Sequence, residues 1–450
     1  MPLHPEYDVA VIGAGPAGLV AATQAARAGA RVLLVEKSGI IGGTTVLNGV
    51  NFPGLFHAWG RQVIAGIGWE LVTSVVDEDG GTLPDFSNFK NKPHHRLQIL
   101  VNAATYAMLA DRMVIQSGAE VLLHTMPAAV SFDGEAEAWT LTLCTKEGLE
   151  SLVAKVLIDC TGDANIVGLA GLGRHRNEHL QPGTLVVEAT GYDLAALDYD
   201  ALEAAFLREV AEGEMLRSDF HAARNPVRIF LHARGNNAMH VPGIDAASSA
   251  GKTRAELQAR EVLMRIQRFM RRQPGLAGFR ISHFAAECGI RETYTIDGET
   301  CITARDYTSG RVWADSLCHS FYPIDIHSHD GVGIDIRPLI EGVFPTIPLG
   351  AMLPRTSRNL IVAGRCACGD QAASSAFRVQ ASCMAMGQVA GAAASLAAGH
   401  GTELREAPVA DIRRLLALHG AIVPAVAGNL QAGSCNSTMP KDPAPTLAST

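Results

Sequence analysis

One short segment constrains the fold of this chain more than any other: a glycine-spaced turn that follows an apolar run at residues 7–12. The turn reads Gly13-Ala14-Gly15-Pro16-Ala17-Gly18 and matches Gly-x-Gly-x-x-Gly. The first glycine permits a tight turn, the second lets the backbone approach a diphosphate, and the third lets helix and strand pack closely. A helix predicted over residues 16–28 would stabilise the negative charge with its N-terminus. With a second strand over 31–35, the segment predicts a dinucleotide-binding βαβ unit.

An acidic residue, Glu36, stands at the end of this second strand. It lies about 20 residues after the glycines, the spacing at which a carboxylate accepts hydrogen bonds from ribose hydroxyls. Glu36 therefore completes the nucleotide-binding pattern.

The rest of the chain predicts an α/β fold, a three-layer Rossmann-like domain with an inserted α+β substrate domain. The nucleotide-binding domain is expected to be discontinuous, over residues 1–190 and 345–425, and the inserted domain to span 191–344. Residues 41–93 look like a loop because their periodicity is weak. The predicted elements that matter below are a helix over 97–117, a strand over 359–363 and a long helix over 376–398. Residues 426–450 are predicted to be a mobile tail.

Composition excludes several classes of protein. A net charge of −8 argues against a nucleic-acid-binding role, since phosphate contacts need a basic surface. No apolar run approaches the roughly 18–20 residues that span a bilayer, so no membrane span is expected. The N-terminus lacks the pattern of a secretion signal, which predicts a cytoplasmic location. The nine cysteines are then expected to be reduced thiols.

Several segments together resemble a known family. They are the run over residues 8–18, Val35-Glu36-Lys37, Gly42-Gly43-Thr44-Thr45, Asp159-Cys160-Thr161-Gly162-Asp163-Ala164, the stretch 322–327, Asn359 through Gly364-Arg365, and Arg378-Val379 through Gly391. They resemble the FAD-dependent oxidoreductase family of the glutathione-reductase and fumarate-reductase superfamily, over most of residues 7–398. The resemblance implies an FAD-dependent enzyme.

The resemblance also implies which residues hold FAD. The first strand-turn-helix would bind the adenosine diphosphate half, and the Gly-Gly segment would lie along the pyrophosphate and flavin. The assigned positions are Gly13, Ala14, Gly15, Pro16, Ala17, Gly18, Glu36, Lys37, Gly42, Gly43, Thr44, Thr45, Pro127, Thr161, Gly162, Asp163, Gly364, Arg365, Arg378 and Val379. Pro127 matches a position whose backbone contacts adenine, although proline has no amide to donate. His57 lacks the local pattern of flavin-tethering histidines, so FAD is expected to bind noncovalently.

The helix predicted from residue 376 has a physical role in this interpretation. Reduced flavin carries negative charge near its N1 atom, which a helix N-terminus stabilises. Arg378 and the Val379 amide are expected there. The alternative for Arg378 is a surface ion pair.

The sequence excludes a redox disulfide and makes a dedicated NAD(P)H domain unexpected. Dithiol reductases of this superfamily carry two cysteines after Gly-Gly-Thr, where this chain has Thr45 and Val50. No second Gly-x-Gly-x-x-Gly follows a strand in mid-chain, so a separate NAD(P)H domain is not expected. Electrons are then expected to come from an organic substrate or a partner.

The central part of the chain supplies the candidate catalytic residues. Arg291 could clamp a carboxylate or phosphate, and Glu292 follows it, although the two could simply form an ion pair. His327 and His329 are two apart, which on a strand places them on one face, and a histidine near flavin could transfer a proton. No third and fourth metal ligands accompany them, so no metal is predicted. The other histidines, His240 among them, are expected to be surface or hydrogen-bonded residues.

The sequence therefore predicts hydride transfer between FAD N5 and a small organic substrate, of dehydrogenase or ene-reductase type. The final electron acceptor would be a partner or O2. Two alternatives stay open: a flavin monooxygenase, and a non-catalytic nucleotide-binding or escort flavoprotein. Substrate identity, reaction direction and oligomeric state are not determined by sequence.

Overall fold

The computed structural model describes residues 4–90 and 92–426. Its helices are α1 (Pro16–Arg27), α2 (Ile67–Glu78), α3 (Ala103–Gln116), α4 (Asn165–Leu169), α5 (Tyr199–Glu212), α6 (Pro226–His232), α7 (Ser249–Arg271), α8 (Ala304–Ser309), α9 (Gln371–Phe377), α10 (Gln380–His400) and α11 (Val409–Leu418). Its strands are β1 (Glu6–Ile12), β2 (Val32–Val35), β3 (His57–Ala58), β4 (Arg61–Gln62), β5 (Glu120–Leu122), β6 (Met126–Asp133), β7 (Ala138–Cys144), β8 (Leu149–Asp159), β9 (Arg174–His175), β10 (Val187–Thr190), β11 (Gly235–Asn236), β12 (Arg280–Phe284), β13 (Thr295–Ile296), β14 (Ser316–His319), β15 (Ile324–His327), β16 (Ile334–Arg337), β17 (Thr346–Pro348) and β18 (Leu360–Val362).

A seven-stranded sheet forms the centre of the molecule, in the order β5-β2-β1-β8-β7-β6 with β18 also on β8. Strands β5, β2, β1, β8 and β18 run parallel to one another, whereas β7 is antiparallel to β8 and to β6. Strand β2 is buried throughout and β1 is buried at five of its seven positions, as expected for apolar parallel strands covered on both faces. The predicted Rossmann-like α/β fold is confirmed.

Helix α10 packs closely against α1 because its sequence is rich in alanine and glycine. A Cβ atom on Gly387 would lie 2.1 Å from the Ala17 carbonyl oxygen, and one on Gly391 would lie 2.3 Å from the Ala21 carbonyl oxygen. Only glycine permits this approach. By length and composition α10 could cross a membrane, but 94% of its most apolar window is buried inside the protein, as in a core helix.

The described residues form two hydrophobic cores. The first contains the sheet, α1 and α10, together with buried side chains from residues 296–353. The second runs from Leu185 to Cys288 and includes α5, α6 and α7. In α7 the buried side chains follow helical spacing, and Ser248 caps its N-terminus by accepting a hydrogen bond from the Gly251 amide. The predicted domain boundaries stay a prediction. Residues 296–344, which the sequence assigns to the inserted domain, contribute many side chains to the first core.

Three secondary-structure expectations were wrong. Residues 41–93 are not only loop, because Ile67, Leu71, Val72, Val75 and Val76 form the buried face of α2. Helix α3 begins after Asn102, whose side chain caps it, and not at residue 97. The helix predicted over 376–398 is two helices, α9 and α10, which break at residues 378–379. Apart from residue 426, the tail predicted over 426–450 lies outside the described residues.

Candidate functional site

A cavity of about 970 Å³ opens where the parallel strands of the sheet end. Its wall includes residues that directly follow β1, β8 and β18, namely Gly13, Cys160 and Ala363. Residues 246–249 and 287–291 from the second core complete the wall. Ligands of doubly wound α/β folds bind at the carboxyl ends of the strands, so this is the expected place for one.

The three motif glycines have different surroundings. A Cβ on Gly13, whose φ is +98°, would lie 2.6 Å from the Cys160 carbonyl oxygen, and one on Gly18 would lie 1.7 Å from the Gly13 carbonyl oxygen. Gly15 lines the cavity, and a Cβ there would come no closer than 4.0 Å to the protein. Gly13 and Gly18 are therefore required by packing, whereas the absence of a side chain at Gly15 leaves space for a ligand.

Helix α1 presents its N-terminus to the cavity. Gly15 is the N-cap and supplies no side-chain cap, Pro16 occupies the first turn, and both residues line the cavity with Ala17. An uncapped helix N-terminus has unpaired amide donors and partial positive charge, which suit a diphosphate. The residues present therefore fit the pyrophosphate of a dinucleotide cofactor.

Glu36 connects the glycine turn to the end of β2. Its Oε2 atom accepts a hydrogen bond from the Ala14 amide at 2.7 Å, and Oε1 accepts from the amide and hydroxyl of Ser38 at 2.8 Å each. Glu36 lines the cavity together with Lys37, while Ala14 does not. Since a carboxylate oxygen can accept more than one hydrogen bond, Glu36 keeps acceptor capacity for a ribose.

The Gly-Gly segment divides into lining and supporting residues. Gly43 and Thr44 line the cavity. The Gly42 amide donates to the Ala14 carbonyl at 2.9 Å, and the buried Thr45 hydroxyl donates to Gln380 Oε1 at 2.5 Å. Gly42 and Thr45 thus hold the segment in place from outside the cavity.

A hydrogen-bonded network around Asp163 joins the loops of the two cores. Arg365 donates to the Asp163 carboxylate, to the Gly162 carbonyl at 2.6 Å and to the Ile290 carbonyl. Thr293 donates to the same carboxylate at 2.7 Å. Burial alone would raise the pKa of Asp163, but the charge of Arg365 and the hydrogen bonds from Thr293 and Arg365 together outweigh it, and the pKa is lowered. Residues 161–163, with Gly364 and Arg365, line the cavity, as does Pro127 on β6.

Two arginines and a carboxylate line another part of the cavity. Arg291 is buried and donates to the Pro182 carbonyl at 2.5 Å. Burial and the nearby charge of Arg378 lower the pKa of Arg291 to about 9. Arg378 lies at the α9–α10 break, just before the α10 N-cap Val379, and donates to the Asp325 carbonyl at 3.3 Å. Its Nε atom is buried without a hydrogen-bond partner in the described residues.

His327 ends strand β15 and contacts two further ionisable groups. Its Nε2 atom lies 3.5 Å from Asp325 Oδ1, and its Nδ1 atom lies 2.8 Å from His240 Nε2. His240 is fully buried, and its Nδ1 atom lies 2.8 Å from the Gly331 carbonyl oxygen. No local sequence signal marks His240 as part of the site, because 87 residues separate it from His327.

We call the cavity wall formed by Gly13, Gly15 and Glu36 the glycine region, and the wall formed by Arg291, Asp325, His327 and Arg378 the histidine region. Tyr322, which the sequence did not single out as catalytic, also lines the cavity and accepts a hydrogen bond from Gln98 at 3.0 Å.

Two predicted catalytic residues lie elsewhere. Glu292 does not line the cavity or pair with Arg291, because its carboxylate accepts from Asn177, the Gln181 amide and Gln371 at 3.0, 2.6 and 2.9 Å. His329 is exposed and stacks on His179, since β15 ends at His327 and the two histidines do not share a strand face. Among the described residues no group of three or more His, Cys, Asp or Glu side chains is arranged to hold a metal ion.

Comparison with known proteins adds a family match. The model of the FAD dependent oxidoreductase family matches residues 8–416. The chain is 55% identical over 47 residues to urocanate reductase from Eggerthella lenta, covering 10% of this chain and 8% of that protein. It is 29% identical over 164 residues to thiamine thiazole synthase from Pyrococcus abyssi, covering 35% of this chain and 58% of that protein. The matches thus span less than two thirds of either relative.

A solved structure aligns over a larger part of the chain. A geranylgeranyl bacteriochlorophyll reductase-like protein from Thermoplasma acidophilum aligns with 92% of this chain and 83% of its own, at 13% identity and a TM-score of 0.42.

Proposed function

The chain belongs to the FAD-dependent oxidoreductase family, and on that premise we propose that it transfers hydride between FAD and a small organic anion. One observation carries the proposal: the glycine region and the histidine region line the same cavity. A cofactor held by the first region can therefore meet a substrate held by the second.

The glycine region is suited to hold the cofactor noncovalently. The α1 N-terminus would bind the pyrophosphate, Glu36 the ribose, and the α10 N-terminus at Val379 would face the flavin. FAD, when bound, supplies a two-electron acceptor or donor for hydride. His57 does not line the cavity: its ring stacks on Phe86 at a centroid distance of 3.7 Å, which argues against a covalent link through this residue.

The histidine region is suited to hold an anion. Arg291 and Arg378 place two guanidinium groups in the cavity wall, and Asp325 offsets only one of the two charges. A carboxylate can accept paired hydrogen bonds from a guanidinium, and Arg291 and Arg378 both line the cavity. A small carboxylic acid therefore fits this region in charge and in hydrogen bonding.

Anaerobic absorbance spectroscopy of the FAD-loaded protein tests the proposal. We expect bleaching of oxidised flavin by a member of a panel of small carboxylic acids, or reoxidation of chemically reduced flavin by an unsaturated one. Steady NADPH consumption with oxygen uptake would instead indicate a monooxygenase. Bound flavin that responds to none of these compounds would indicate the non-catalytic alternative.

A further inference from the structure

Four groups form a buried chain that ends in the histidine region, and two hydrogen bonds and one longer contact join them. The order is the Gly331 carbonyl, His240, His327 and the Asp325 carboxylate, with successive separations of 2.8, 2.8 and 3.5 Å. His240 is 0% exposed and His327 is 7% exposed. Both ends of the chain, a carbonyl and a carboxylate, are acceptors only.

The geometry of these four groups indicates how many N–H protons the two imidazoles carry. Three complete hydrogen bonds between two acceptors would need three N–H groups, whereas two neutral imidazoles carry two. The Gly331 carbonyl requires the proton on His240 Nδ1, which leaves Nε2 of His240 as an acceptor. His327 must then carry its proton on Nδ1, so that its Nε2 atom is unprotonated.

The remaining distances agree with this assignment. The His327–Asp325 separation of 3.5 Å is longer than an ordinary N–H···O hydrogen bond. Asp325 Oδ1 is buried and has no hydrogen-bond partner in the described residues. At rest, therefore, two acceptors, His327 Nε2 and Asp325 Oδ1, face each other and lack one proton between them.

We propose that His327 Nε2 and Asp325 Oδ1 form a proton-accepting pair whose tautomer is fixed by His240, and that the substrate is a small acid oxidised at a carbon bearing an O–H or N–H group. The substrate class rests on the function proposed above. His327 and Asp325 are assigned as catalytic residues and His240 as a positioning residue.

The charged groups around His327 make its ability to accept a proton depend on the substrate anion. Besides Asp325 on the same strand, Arg291 and Arg378 approach from two other segments, and His221 lies beside His240 at a ring-centroid distance of 5.6 Å. Burial, followed by the charges of Arg291 and Arg378, lowers the pKa of His327 to about 3 despite the opposing effect of Asp325. A carboxylate bound to the two arginines would offset their charge and raise this pKa.

Atoms and electrons balance with oxidised FAD as the two-electron acceptor. The substrate C–H bond breaks, and its hydrogen leaves with the bonding electron pair as hydride, which the FAD would accept. The O–H or N–H bond breaks, its electron pair forms the C=O or C=N double bond, and its proton passes to His327 Nε2. That proton completes the third hydrogen bond of the chain, to Asp325.

The tautomer is tested by ¹⁵N NMR of histidine side chains in the FAD-loaded protein, without substrate. We expect His327 to be protonated on Nδ1 and His240 on Nδ1 at pH 7. His240→Leu removes the acceptor for His327 Nδ1–H and should shift His327 to the Nε2–H tautomer, whereas His240→Gln retains an acceptor and should restore Nδ1–H. A wild-type His327 protonated on Nε2, or an unchanged tautomer in a folded His240→Leu variant, would overturn the proposal.

The substrate class is tested with matched acids under anaerobic conditions. Lactate, alanine, N-methylglycine and their longer homologues carry the donor, whereas propionate and its homologues do not. We expect donor-bearing acids alone to reduce the flavin, and general-base catalysis predicts a loss of about 100-fold or more in His327→Gln. Reoxidation of reduced enzyme by crotonate, with no reduction by any donor-bearing acid, would overturn the proposal. If no acid acts in either direction, the function proposed above fails, and the tautomer measurement still decides the proton assignment.

Discussion

The glycine region and the histidine region show two different ways of building a binding surface. The glycine region is made largely of backbone, and its residues lie within one βαβ unit, from Gly13 to Glu36. The histidine region is made of the side chains of Arg291, Asp325, His327 and Arg378, which only the tertiary fold brings together. The first suits a diphosphate because it leaves side chains out. The second acts through buried charges, whose properties depend on their neighbours.

The largest expected effect comes from Gly15→Val, which should weaken the binding of FAD to the glycine region. Its side chain would project into the cavity without a clash with the protein, because the nearest atom to a Cβ there is 4.0 Å away. Overpacking a close contact costs about 1–3 kcal/mol or more, so FAD affinity should fall by about 5- to 150-fold or more. Flavin content after purification, with circular dichroism for the fold, measures this.

Gly134→Val is the matched control, since Gly134 is exposed and has no atom within 4 Å of its Cβ position. We expect it to keep FAD. A folded Gly15→Val protein that retains as much flavin as Gly134→Val would contradict the role given to the glycine turn.

Arg291→Ala should affect the histidine region alone: FAD should stay bound, and flavin reduction by substrate should become slower. Loss of a hydrogen bond to a charged group costs about 1.5–3 kcal/mol, which corresponds to a decrease of about 10- to 150-fold in kcat/KM. Rapid-mixing absorbance measures the rate. Arg254→Ala removes the same charge at an exposed position on α7, outside the cavity, and should change nothing. Equal rates in the two variants would remove Arg291 from the substrate site.

Glu36→Gln should weaken FAD binding moderately and leave the histidine region intact. The amide would place an N–H₂ group against the Ala14 amide or against Ser38, where the carboxylate accepts from both. Loss of one such hydrogen bond costs about 1–2 kcal/mol, so the dissociation constant of FAD should rise about tenfold. Fluorescence titration of the apoprotein with FAD measures it. An unchanged constant would show that Glu36 does not support the cofactor.

His240 affects stability and not cofactor binding, and its effect appears only as the pH falls. Burial, Arg291 and His327 lower the pKa of His240 to about 2, below its unfolded value near 6.5. The unfolded state therefore binds the proton first, and stability decreases as the pH falls below about 6.5. Between pH 6.5 and pH 5 this amounts to about 2 kcal/mol, which His240→Gln should remove. Thermal unfolding at both pH values measures it, and identical acid sensitivity in the two proteins would contradict a neutral buried His240.

The same comparison explains how much could be predicted from sequence. The strand-turn-helix, Glu36 and the Rossmann-like fold were predictable because their signals lie close together in the sequence. Packing requires Gly13 and Gly18, and Gly15 leaves space for a ligand. Helix α2 was not predicted, although its residues have the apolar spacing of a helix, because the glycines around it are typical of turns. The misplacement of Glu292 and His329 has another cause: spacing along a chain does not show where a strand ends or which way a side chain points. His240 had no local signal at all.

The most direct test of the two-region account is a titration of the oxidised, FAD-loaded protein with propionate and its longer homologues, followed by flavin absorbance. These acids carry a carboxylate but no donor, so they should bind the arginines, perturb the flavin spectrum and leave it oxidised. The same titration of Arg291→Ala should need about 10-fold or more acid for half of the change. A flavin spectrum that no acid perturbs, or a perturbation of equal strength in Arg291→Ala, would contradict the claim that both regions serve one site.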